Sequence, residues 1–211
     1  MACCTTEVKT FWTNHQEGFL FVIQHLLKIF QCKISTNYNC HRSYLFQPII
    51  SKLFDLQVEF KTLTIELDGS KVHNLLWNQI SSKFNLVEDL TISSINGPLL
   101  WYPMFEPIFT SWPREIRILD SDWFTLETLL SCTCSKITLE WSNLGNKDLD
   151  EVLKNWKAGG FPNLKELKID SEILEMYLRD LDGKVIQTDD GLKKATIRNN
   201  FGITEMSVTS F

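Results

Sequence analysis

The sequence predicts an α/β fold of repeated strand and helix units, a leucine-rich-repeat-like curved solenoid with a one-face-covered parallel sheet and a small C-terminal antiparallel β cap. Three observations carry this. The spacing L-x-x-L-x-I recurs along the chain, amphipathic helical stripes fall between the copies, and each copy alternates apolar with polar residues. Strand, crossover helix, strand, repeated, forces neighbouring strands to run parallel. A sheet covered on both faces would carry near-continuous apolar strands, so the alternation predicts one wet face.

The copies read in order as Phe60, Leu63, Ile65 in "FKTLTI", then Val87, Leu90, Ile92 in "VEDLTI". "PREIRI" supplies Ile116 and Ile118, "CSKITL" supplies Cys134, Ile137 and Leu139, and "NLKELKI" supplies Leu164, Leu167 and Ile169. The equivalent positions Leu63, Leu90, Ile116, Ile137 and Leu167 are separated by 27, 26, 21 and 30 residues, the range of solenoid repeats. A sixth copy is read at Ile29, Cys32 and Ile34.

Between them lie the helices. Phe19, Val22, Ile23, Leu26 and Leu27 form the first stripe, and "SYLFQPIISKLF" a second, with Pro48 expected near its start. Val72, Leu75, Leu76 and Ile80 form a third, and Leu126, Leu129 and Leu130 a short one. The four prolines of "NGPLLWYPMFEPIFTSWP" predict a short or broken helix. The fullest unit is "NKDLDEVLKNWKAGGFPNLKELKID". Leu149, Val152, Leu153 and Trp156 share one helix face there, with Asn146 expected as N-cap, Gly159 or Gly160 closing the helix and Pro162 preventing its resumption. Toward the end, Ala195 with Ile197 and Met206 with Val208 alternate, and Asp190-Gly191 and Phe201-Gly202 offer turns, so one or two antiparallel strands are expected to cap the last repeat. The expected organisation is a single domain over 1–211. Residues 1–56 are its helical first-repeat part, 57–181 the core repeats and 182–211 the cap.

Composition narrows the function classes. A formal charge of −5 and a pI of about 5.4 disfavour phosphate backbones and anionic lipid, so neither nucleic acid nor membrane is an expected partner. The apolar run "GFLFVIQHLLKIF" is interrupted by Gln24, His25 and Lys28 and falls short of the roughly 20 residues that span a bilayer. With no basic n-region before it and no small-residue cleavage site after it, an intracellular protein is expected. The six cysteines are therefore expected as thiols, and no C-x-x-C or H-x-x-x-H motif adds ligands to Cys132 and Cys134, so no metal is expected.

At "WFTLETLLSCTCSKITLEWSNLGNKDLDEVLKNWKAGGFPNLKELKI" the chain resembles the type 2 F-box-associated domain of the nematode F-box protein family. The residues that carry the resemblance are Leu129-Leu130 before Cys132, Ser142-Asn143-Leu144, Asn146-Lys147-Asp148-Leu149, Lys154 with Trp156, Gly160, and Pro162-Asn163-Leu164. "DDGLKKATIRN" adds Asp190, Gly191, Lys194, Ala195, Thr196 and Ile197. The resemblance implies a target-recognition module of a cullin-RING (SCF-type) ubiquitin ligase. A Skp1-type adaptor is implied only if a longer product carries an F-box, since no Leu-Pro opening with Ile and Leu helices precedes Trp12.

No catalytic arrangement emerges. His15, His25, His41 and His73 are scattered, Gly159-Gly160 follow a helix where a phosphate loop must precede one, and Asp189-Asp190 reads as turn chemistry. Two alternatives remain: an enzyme using Cys132 or Cys134 as nucleophile, and an orphan fragment with no partner. Of the tryptophans, Trp156 reads as core and Trp141 stands just past a strand end, while Trp101, Trp112 and Trp123 flank the irregular third repeat, where a loop-borne aromatic could meet a partner but burial is the expectation. The expected protein-binding surface is the uncovered strand row Thr64, Thr91, Arg117, Thr138 and Lys168, flanked by Glu66, Glu115, Lys136, Glu140 and Asp170. The target is unknown, and no cofactor is expected.

Overall fold

A computed structural model describes residues 14–38, 43–67, 71–94, 107–174, 181–200 and 202–211. Two compact units divide the chain, residues 1–33 and 34–211. The first contains helix α1, His15–Phe30. The Asn14 side chain accepts from the Glu17 amide at 3.4 Å near its start, and Gln31, at φ 48°, ends it.

The second unit is built on strands β1 (Ile34–Tyr38), β2 (Phe60–Leu67), β3 (Val87–Ser94), β4 (Glu115–Ile118), β5 (Lys136–Leu139), β6 (Glu166–Asp170), β7 (Val185–Gln187), β8 (Lys193–Asn200) and β9 (Ile203–Ser210). Its helices are α2 (Ser43–Asp55), α3 (Lys71–Ile80), α4 (Leu126–Leu130) and α5 (Asn146–Lys157). The nine strands form one mixed sheet in the order β1-β2-β3-β4-β5-β6-β9-β8-β7, open at both ends. From β1 to β6 every pairing is parallel and follows chain order. Right-handed crossovers between strands laid down in order put their helices on one side. The cap pairs antiparallel, β9 on β6, β8 on β9 and β7 on β8, and so holds three strands where one or two are expected.

Register aligns the repeats. Leu63, Leu90, Ile116, Ile137 and Leu167 are successive Cα partners, and Met206 and Ile197 extend the row into the cap. All seven are at most 2 % exposed. A second row, Ile65, Ile92, Ile118, Leu139 and Ile169, runs beside it and is equally buried. Helix α2 reaches this side through Phe54, whose ring lies 4.7 Å from that of Phe60. Helix α5 reaches it through Leu149 and Leu153, which with Leu167, Ile169, Ile197 and Met206 line a void of only about 10 Å³, barely room for one water.

Many of the motif residues that carry the family resemblance build this core or tie one repeat to the next. Leu129, Leu144, Leu149, Trp156 and Leu164 are buried. The Asn143 side-chain amide donates to the Asp122 carbonyl at 3.1 Å, and that of Asn163 to the Thr133 carbonyl at 3.2 Å, each reaching back to the preceding loop. Ser135 likewise donates its hydroxyl to the Arg114 carbonyl at 3.0 Å.

Several local expectations are corrected. The sixth copy is displaced, because Thr36 rather than Cys32 stands opposite Leu63, with an irregularity between Ile34 and Ser35. Pro48 lies inside α2 rather than near its start. In α3 the stripe rotates: Leu75 is exposed, while Trp77 is buried and donates Nε1–H to the Ile108 carbonyl at 2.9 Å. Leu153 is half-buried, unlike its stripe mates Leu149, Val152 and Trp156. Gly145, not Asn146, is the N-cap of α5, and its amide donates to the Asp148 carboxylate at 2.8 Å. Lacking a side chain, the glycine leaves Asp148 in the first turn to supply the capping oxygen, where a carboxylate also suits the helix dipole. The expected broken helix falls largely on residues 95–106, which with Trp101 lie outside the described residues.

The end of α5 follows the expectation closely. The Gly160 amide donates to the Asn155 carbonyl at 2.8 Å and the Gly159 amide to the Trp156 carbonyl at 3.0 Å, the paired bonds of a Schellman closure, with Gly159 at φ 92°. A Cβ on Gly160 would stand 2.7 Å from the Asn155 carbonyl oxygen. Gly160→Ala is therefore expected to destabilise more than Gly159→Ala, which meets no neighbour and costs about 1 kcal/mol for the left-handed backbone. Leu149→Ala should cost roughly 2 to 5 kcal/mol as a buried truncation, and Leu153→Ala clearly less. Urea unfolding of the four variants checks the ranking, and equal losses at Leu149 and Leu153 would contradict this packing.

Candidate functional site

The opposite side of the sheet is polar. Thr64, Thr91, Arg117, Thr138 and Lys168 are successive Cα partners, so alternation and register place the whole expected row side by side. Asn37 precedes it on β1, and Glu205 and Arg198 continue it onto β9 and β8. A parallel row holds Thr62, Asp89, Glu115, Lys136, Glu166 and Ser207.

Exposure along the row is uneven. Arg117 is exposed, Thr64, Thr91, Glu140 and Lys168 are half-buried, and Thr138 is only 8 % exposed. The expectation of a solvent-facing Thr138 is thus corrected in degree. Its partners in register are Arg117 and Lys168, whose long stems leave little water for a threonine between them.

The charges pair with a common stagger. Arg117 on β4 donates Nε and Nη2 to Glu140 Oε1 at the end of β5, Nε at 3.0 Å. Lys136 on β5 donates to Glu166 on β6 at 2.9 Å, and Lys168 on β6 lies 3.0 Å from Glu205 on β9. Each cation leans one strand toward the cap. The bridges are surface pairs, each worth roughly 0.2 to 1 kcal/mol, so they fix side-chain direction more than they stabilise the fold. Between the side chains lies an open trough of about 360 Å³ on β3 to β6. The flanking residues Asp89, Glu166 and Glu205 escape the sequence reading. Asp89 follows from alternation, two residues before Thr91, whereas Glu205 depends on the antiparallel register of β9, which the strand pattern alone does not set.

Cys132 and Cys134 are both buried free thiols. The Cys134 thiol is pushed well above the usual thiol range by its hydrogen bond with Cys132 and then by burial, so the thiolate that a nucleophile requires is disfavoured. Asp190 accepts from the Thr188 hydroxyl at 2.6 Å and from the Leu192 amide at 2.9 Å, and these bonds hold its carboxyl below the usual range. That is turn geometry, with Gly191 at φ 75°. Among the described residues no three His, Cys, Asp or Glu side chains converge as metal ligands, and no helix is long and apolar enough to cross a membrane.

Trp77, Phe84, Phe109, Trp112, Trp123 and Phe124 form one aromatic cluster, with ring centroids from 4.4 to 6.5 Å apart. Trp156 is core, as its stripe predicts, whereas Trp141 is exposed at φ 54° just past β5.

The chain is similar to known proteins in two respects. Residues 105–169 match the F-box associated family. The F-box-associated match runs through β4, β5, α5 and most of β6, the stretch where the buried leucines, Trp156 and the Asn143 and Asn163 ties lie. Over 207 residues the chain is also 25% identical to E3 ubiquitin-protein ligase hecw-1 of Caenorhabditis elegans, covering 85% of this chain and 16% of that protein. The chain therefore spans about a sixth of the length of that relative. No solved structure matches.

In native protein, Cys132 and Cys134 should alkylate far more slowly than the exposed Cys32, and all three should react at comparable rates after denaturation. Residue-resolved mass spectrometry of a timed iodoacetamide reaction checks this. Fast native labelling of Cys134 would revive the nucleophile reading.

Proposed function

We propose that the chain is a non-catalytic protein-interaction module of the ubiquitin pathway, the target-recognition part of an SCF-type ligase subunit, and that the polar sheet face is its binding surface. The observation that carries the proposal is the uninterrupted register of Thr64, Thr91, Arg117, Thr138 and Lys168. It gathers side chains from five strands onto one face, where the trough is lined by residues of β3 to β6 and by Glu140 just past β5. The F-box-associated match supports a role in binding rather than catalysis, and the likeness to an E3 ligase supports the pathway.

In this reading the strand and helix repeats curve as a leucine-rich-repeat-like solenoid with the polar face turned toward the target. Glu140 orients Arg117. Mixed charge and small threonines suit a polar contact of moderate affinity. The setting is intracellular, where ligase subunits meet their targets. A Skp1-type adaptor joins only through an F-box carried on a longer product.

A photocrosslinking amino acid at Arg117, compared with one at the exposed Lys154 of α5, tests the surface in native extract. Target crosslinks are expected from position 117 and not from 154, and the reverse would remove the sheet face from consideration. Probing the same pull-down for a Skp1-type adaptor tests the ligase assignment. The adaptor is expected to be absent with this chain and present with an F-box-bearing product; capture by this chain alone would contradict the need for an F-box on a longer product, and absence from both would contradict the ligase assignment.

A further inference from the structure

The staggered ion pairs leave a remainder. Arg117, Lys136 and Lys168 each engage the acid one strand further toward the cap. On β3 and β4, Asp89 and Glu115 are neighbours in register, line the trough, and make no ion pair or side-chain hydrogen bond among the described residues. Lys136, the neighbour of Glu115 on β5, is held by Glu166 and turned from them. The Thr138 hydroxyl opens on the same trough, on a side chain nine-tenths buried, with no hydrogen-bond partner among the described residues.

We propose that this trough receives a lysine or arginine of an extended segment of the partner protein, its cation held between Asp89 and Glu115 and its backbone within reach of Thr138. The inference rests on the polar face being the binding surface and adds the chemistry of what binds there. Charge complementarity favours this occupant. Two adjacent carboxylates, Asp89 exposed and Glu115 half-buried, attract a cation, and a pair with no internal partner needs no native contact broken to accept one. Guanidinium suits the place best, because its planar fork can serve both carboxylates at once. The trough crosses strands spaced about 4.8 Å apart, so a segment rising about 3.3 Å per residue lays several residues along it. The same carboxylates repel a phosphate backbone, which sets nucleic acid aside as the occupant.

The test is selection of random peptides displayed on phage against the folded chain, followed by NMR mapping and affinity measurement with a selected peptide. Lysine or arginine should be enriched, and the peptide should shift amide resonances of β3 to β5. Asp89→Asn with Glu115→Gln should weaken binding roughly fivefold. Added salt should weaken it too, while Lys154→Gln on α5 should leave it unchanged. Both substitutions in the double variant are isosteric and lie outside the buried core, and an unchanged amide spectrum elsewhere confirms its fold. Peptides that perturb β3 to β5 without basic enrichment, or with affinity unchanged in the double variant, overturn the cation inference and leave the polar-face reading standing. Peptides that perturb none of that face overturn both.

Discussion

The fold depends on one constraint, the alignment of every repeat so that its central apolar residue meets the same residue of the next. Leu63, Leu90, Ile116, Ile137 and Leu167 form a single seam, and each strand alone would leave its share of that seam wet. Burying such side chains is worth roughly 1.5 to 3 kcal/mol each, but only once a neighbouring repeat supplies the other wall. Because side chains alternate, the same alignment decides the opposite face. A slip by one residue would exchange the seam for the row of threonines and charges, so packing on one side fixes the geometry of recognition on the other.

The seam also explains what the cap is for. A parallel array ends in a strand with unpaired backbone groups and an uncovered stripe. Strand β9 closes β6 in antiparallel register and brings Met206 beside Leu167 and Thr204 beside Ile169, so the seam continues into a hairpin. On the polar side the same register delivers Glu205 to Lys168, and this completes the stagger that leaves Asp89 and Glu115 without a cation.

Much of this was legible in the sequence, because the repeat spacing and the alternation report packing directly. The five equivalent positions counted along the chain are the five that pair, and the Gly159-Gly160 closure lies where its residue types require. The features that were not legible depend on distance in space. Leu75 and Trp77 exchange roles because the aromatic cluster with Phe84 and Phe109 draws Trp77 inward, which a helical stripe does not reveal. Thr138 is shaded by long neighbours from other strands. Many of the motif residues of the F-box-associated resemblance are core and tie residues, so the resemblance reports more of how the fold is made than of which surface residues choose a target. For the same reason the binding surface has to be argued from register and charge.

The most direct test of the account is a set of side-chain NOEs in isotopically labelled protein. The Ile137 methyls should contact those of Ile116 and Leu167, and the Thr138 methyl should contact the methylenes of Arg117 and Lys168. Contacts from the Thr138 methyl to Ile116 or Leu167 would place a polar residue in the seam, and neither the polar row nor the trough built on it would survive.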